Sequence, residues 1–128
     1  MSVSMRSEHG SVSIVLAAGI LVVLVLTMGV ADLGHVLAAR ARARSGADAA
    51  ALAVAQELAF PTGRDPAEVA ADYAMRNRTV LISCACASGA FDVTVEVRTS
   101  VGALALFPGS LEVTQRARAV VDLPSGTP

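Results

Sequence analysis

Residues 11–31, SVSIVLAAGILVVLVLTMGVA, form an unbroken run of 21 uncharged residues, twelve of them Val, Ile or Leu. As an α-helix the run is roughly 30 Å long, the thickness of a bilayer's hydrocarbon core. At about 0.3 to 0.6 kcal/mol for each large aliphatic, those twelve side chains favour insertion by on the order of 4 to 7 kcal/mol. The run is read as a transmembrane helix. A buried helix of a soluble domain would need wrapping on every side, and the rest of the 128-residue chain is too small for that. A cleaved secretory signal is the nearer rival, because the run is N-terminal and follows Arg6. Its apolar core exceeds the usual ~7 to 15 residues, and TMGVADLGH lacks a clean small-x-small site.

Composition agrees that the apolar residues serve something other than an ordinary core. The chain is 54% hydrophobic but only 3% aromatic, whereas aromatics supply much of the buried area of soluble domains. Every one of the ten basic residues is arginine, which we read as the coding bias of a high-GC bacterium. A net charge of -1 gives no electrostatic reason for a nucleic-acid partner.

Beyond Asp32 the helical signal continues. Ala39, Ala43, Ala47, Ala51, Ala55 and Ala59 recur every fourth residue, a methyl ridge on one helix face that lets another helix approach closely. Alanine is the best helix former, so one helix is expected to run from the membrane to about Leu58. FPTGRDP (60–66) breaks it with two prolines and a glycine. Asp65, Pro66 and Glu68 then read as N-cap, first helical residue and N3 of a short helix reaching about Asn77. Val69, Tyr73 and Ala70 are expected on its inner face.

The last third changes period. FDVTVEVRT (91–99) alternates strictly, with Phe91, Val93, Val95 and Val97 on one face. LEVTQRARAVVD (111–122) places Leu111, Val113, Ala117, Ala119 and Val121 together in the same way. With TVLISC (79–84) as a third strand, the expectation is a small antiparallel sheet with one dry face, covered by the short helix. The fold class is therefore α+β. Its segments are a leader-like 1–10, a transmembrane helix 11–31, an Ala-rich extension 32–59, a linker 60–65, a small head 66–123 and a disordered tail 124–128.

No glycine-rich phosphate loop, nucleophile elbow or metal-ligand spacing stands out, so no catalytic residue, cofactor, metal or small-molecule substrate is assigned. Cys84 and Cys86 are the one constellation to weigh. In an extended strand their α-carbons lie about 6.5 to 7 Å apart, at the outer limit for a disulfide, and a turn at CACASG would relax that. Two structural thiols, a strained or intermolecular disulfide, and a thiol redox role all stay open. Zinc would need further ligands that the neighbourhood lacks.

Gly10-Ser11 before the apolar run, Asp32-Leu33-Gly34 at its end, and Ala47-Asp48-Ala49-Ala50-Ala51-Leu52-Ala53 beyond it resemble the N-terminal segment of TadE/TadG-like proteins of the Flp (tight-adherence) pilus system. The resemblance covers about residues 6–58. It implies a non-enzymatic, single-pass pseudopilin or minor pilin in the cytoplasmic membrane, with its N-terminus inside and its head outside. Implied partners are the membrane and other pilus-assembly or secretion proteins; self-association through the Ala-rich helix is what the ridge itself offers. It also implies processing after Gly10, although the position five residues on, where glutamate is usual, is Val15. Arg40, Arg42 and Arg44 point the other way, since the positive-inside rule alone would hold the head in the cytoplasm. The competing functional class is a small membrane-tethered binding or regulatory module unrelated to pili.

Overall fold

A computed structural model describes residues 8–121, with side chains from Gly10 onward; residues 1–7 of the leader-like segment 1–10, the last two residues of the expected head (122–123) and the tail 124–128 lie outside it. Five elements follow one another: α1 (Glu8–Ala59), α2 (Pro66–Arg76), β1 (Val80–Ala85), β2 (Asp92–Ser100) and β3 (Glu112–Val120). The expected α+β architecture and its antiparallel sheet are observed, in the order β1-β2-β3.

α1 is a single 52-residue helix. No proline interrupts it, and its second half is dominated by alanine. Among the described residues it is the one helix long and apolar enough to cross a membrane. Thr27, the polar group in the middle of the apolar half, donates its hydroxyl to the carbonyls of Val23 and Leu24 at 3.0 and 2.8 Å. Its hydrogen-bonding need is therefore met inside the helix.

The two halves of α1 have different surroundings. From Val12 to Leu26 every large side chain is exposed, whereas Ala39, Ala43, Ala47, Ala50, Ala51, Val54 and Ala55 are buried. The second half forms one wall of the core and lies directly on β2 and β3, while α2 packs against α1 and β1. This corrects the expectation that the short helix covers the sheet. α2 has eleven residues and flanks one edge; only α1 is long enough to lie along both nine-residue strands.

α2 starts as its sequence demands, with Pro66 in the first turn and the Asp65 carboxylate accepting from the Ala67 N–H at 3.1 Å. It ends in a Schellman arrangement. The Thr79 N–H donates to the Ala74 carbonyl and the Arg78 N–H to that of Met75, with Arg78 left-handed at φ 57°. Val69 and Ala70 are buried as expected and so is Ala74, while Tyr73 is half-buried.

β2 is the central strand, and its Val93, Val95 and Val97 are fully buried. Outward residues pair across the sheet, Arg116 with Glu96 at 3.0 Å, Arg118 with Asp92 at 2.8 Å and Arg98 with Glu112 at 3.4 Å. Each such exposed pair contributes at most ~1 kcal/mol. Ala117, Ala119 and Val121 of the third strand's register are buried, and Val113 is half-buried. Two residues assigned to the dry face are not on it: Phe91 and Leu111 lie just outside the strands and are exposed. Phe91 immediately precedes β2 and is 69% exposed, whereas Leu111, immediately before β3, is partly covered by the turns of α1 around Leu33.

β1 is offset by one residue from its expected span and carries a bulge. Leu81 pairs with Val97, but Ser83 pairs with Glu96, leaving Ile82 unpaired. The extra residue shifts the inward set from Thr79 and Leu81 to Cys84 and Cys86.

Candidate functional site

The junction between the two halves of α1 is where the head meets the apolar helix. β2 and β3 are joined by residues 101–111, VGALALFPGSL, a segment without one charged side chain. Its base is closed by the Val101 N–H donating to the Leu111 carbonyl at 2.8 Å. Its middle is held by Asp32, whose two carboxylate oxygens accept from the Ala105 N–H at 2.8 Å and the Leu106 N–H at 2.9 Å. Asp32 is only 6% exposed. The two backbone donors, helped by His35 nearby and opposed by burial, hold its carboxyl below the ordinary value of 3.8.

A second carboxylate does the same at the far end of the docked half. Glu57 accepts from the Thr62 N–H at 2.7 Å, from the Thr62 hydroxyl at 2.7 Å and from the Arg64 N–H at 3.3 Å. These bonds, those of Thr62 first, lower its pKa. The head is thus tied to α1 by two acidic clamps, one on the 101–111 connection and one on the 60–65 linker.

Between the clamps lies the Ala ridge. Ala39, Ala43, Ala47, Ala51 and Ala55 are buried within the chain's own head and Ala59 is half-buried. The close approach that the spacing foresaw takes place inside the molecule, where these methyls face the chain's own head. Gly46 belongs to it functionally: a Cβ there would stand 2.5 Å from the Thr79 hydroxyl oxygen and 2.7 Å from its methyl. Only glycine lets the α2–β1 connection sit this close to α1.

The remaining motif residues are distributed as follows. Ala50 is buried, Ala49 half-buried, and Asp48 and Leu52 are exposed. Asp48 forms a loose pair with Arg44, one turn earlier, at 3.9 Å. Gly34 is exposed with open space where a Cβ would stand. Gly10 and Ser11 fall within the first turns of α1 and are exposed. Arg40 and Arg42 are exposed on the helix beyond Asp32. Cys84 and Cys86 are joined by a disulfide with α-carbons 5.4 Å apart, closer than in an extended strand because the chain is already turning at the end of β1. Among the described residues no group of three or more His, Cys, Asp or Glu side chains converges on a metal-sized site.

Sequence reasoning missed the role of the 101–111 connection. Its signal was present: thirteen uncharged residues in succession from Thr99 to Leu111, too apolar for an ordinary surface loop.

Residues 10–57 match the family model described as putative Flp pilus-assembly TadE/G-like. The match ends two residues before α1 does, so the family signature and the long helix are the same object. No curated protein and no solved structure matches the chain.

Proposed function

We propose that this chain, TadE/G-like through residues 10–57, is a non-enzymatic pseudopilin-like or minor-pilin-like subunit that assists assembly of a Flp/Tad-type pilus. The observation that carries the reading is the division of α1: one half is a bare apolar rod, and the other is built into a small head. A subunit that must stay anchored in a bilayer while offering a folded head to other assembly proteins needs that division. The partners are other components of the pilus-assembly or secretion apparatus, met through the head and through the lipid-facing half of the helix.

The head is placed outside the cytoplasmic membrane, with the N-terminus inside. The Cys84–Cys86 disulfide supports this, since disulfides persist in oxidising compartments. Arg40, Arg42 and Arg44 then stand roughly 12 to 18 Å beyond Asp32 along the helix, within reach of outer-leaflet phosphates. Cleavage after Gly10 would make Ser11 the first residue of the mature chain, and intact mass reads that directly.

The test is genetic. Deleting the gene should abolish surface pili, and wild-type complementation should restore them along with co-purification of the pilus-assembly machinery. Normal piliation in the deletion strain would instead favour the membrane-tethered binding module.

A further inference from the structure

All three phenylalanines of this protein are exposed, at 64% for Phe60, 69% for Phe91 and 67% for Phe107. Phe60 and Phe91 belong to the end of the head farthest from the apolar half of α1, because Phe60 follows the end of that helix and Ser88 and Gly89 stand beside Glu57. Phe107 is different. Its connection lies against the last turns of the apolar half, with the Leu106 side chain 3.7 Å from where a Cβ on Gly29 would be. Between helix and connection runs a largely apolar groove of about 420 Å³, walled by Gly29, Asp32, Leu33 and Val36 on one side and Leu104, Phe107 and Leu111 on the other. Leu106, Phe107 and Leu111 thus adjoin the apolar surface that α1 presents from Val12 to Leu33, with the exposed His35 just beyond it.

From this adjacency we infer that residues 103–111 are a second membrane contact, dipping into the headgroup and acyl boundary of the same bilayer that α1 crosses, with lipid chains filling the groove. The inference rests on the anchoring of α1 in the proposed function. Three features of the connection fit a lipid surface. It has no charged side chain, so insertion costs no ion desolvation. Its apolar tips are of the kind that partition at the interface. Asp32, which would otherwise face lipid at this depth, has both carboxylate oxygens occupied by the connection's own amides; the same contact satisfies two N–H groups that water could not reach there. The span also fits: from Gly10 to Arg40 α1 measures roughly 45 Å, a bilayer with its headgroups, so the first arginine emerges at the headgroup level.

The chain has no tryptophan, so a single substitution makes a unique fluorescent reporter. Full-length Phe107→Trp, Phe91→Trp and Val23→Trp are each reconstituted alone in phosphatidylcholine vesicles, with and without bromine on the lipid acyl chains. Phe91 is the matched control, equally exposed and roughly 38 Å farther along the axis if measured at Glu57. The expected result is at least twofold quenching of Phe107→Trp and Val23→Trp by brominated lipid, with Phe91→Trp unaffected and open to acrylamide. Quenching of Val23→Trp with Phe107→Trp behaving like Phe91→Trp, whether both are quenched or neither, overturns the loop contact and leaves the anchor standing. Absence of quenching at Val23→Trp overturns the anchor and the loop contact together.

Discussion

Asp32 is the residue whose environment most exceeds what its neighbours in the chain foretell. Its acceptor pair serves amides 73 and 74 positions away, and no local pattern encodes such a bond. Because its carboxyl is held below 3.8, its contribution to stability is complete above that value and is lost as pH falls through the depressed folded-state pKa. Thermal unfolding of the full chain in detergent from pH 6 to pH 3 should therefore show the wild type ahead of Asp32→Ala near neutrality, with the gap closing below about pH 4. A gap unchanged by pH would mean that the carboxylate is not what holds the connection. Gly46 makes a separate prediction. Helix propensity alone would favour Gly46→Ala by up to about 1 kcal/mol, but the new methyl meets Thr79 at 2.5 Å. Overpacking should win, with net destabilisation of about 1 to 3 kcal/mol. In a double-mutant cycle with Thr79→Ala, which removes the atoms in the way, the combined cost should be smaller than the sum of the single costs.

At the scale of elements, the second half of α1 is as much a part of the core as any strand. Its Ala ridge is legible in the sequence as a period of four, but a ridge only says that something comes close, not what. Here the sheet and α2 come close, and the buried methyls set the distance. Ala47→Leu or Ala51→Leu should each destabilise head docking by about 1 to 3 kcal/mol, seen as faster proteolysis in the 60–65 linker. Ala41→Leu, on the exposed side of the same helix, should leave proteolysis unchanged. β1 teaches the complementary lesson. The strand expected at 79–84 is found within one residue, yet the bulge at Ile82 reverses which later side chains face inward. That reversal is how both cysteines reach the inner face, and it depends on the pairing with β2 rather than on β1 itself.

For the whole molecule, the compact unit begins inside the long helix and not at the linker. Residues 60–121 alone lack the wall supplied by Ala47, Ala50, Ala51, Val54 and Ala55 and should show no cooperative thermal transition. A chain beginning at Asp32 keeps both the wall and the clamp and should unfold cooperatively by circular dichroism. A folded 60–121 fragment would contradict the placement of α1 in the core. Orientation is tested at the same scale. After mild reduction, a membrane-impermeant maleimide should label Cys84 and Cys86 in intact cells; labelling confined to lysed cells would put the head in the cytoplasm, as the three arginines by themselves suggest. The sequence by itself determined the membrane-length apolar run, the unbroken helix, its break at 60–66, and the alternating strands. Each of these is a local balance between side-chain period and solvent, readable within a few residues. Only the tertiary structure decided that α1 rather than α2 covers the sheet, that the Ala ridge is spent inside the chain, and that Asp32 fastens an apolar connection to the base of the head. These depend on which surfaces meet once the chain has closed on itself, and residues separated by most of the chain carry no shared period that could announce it.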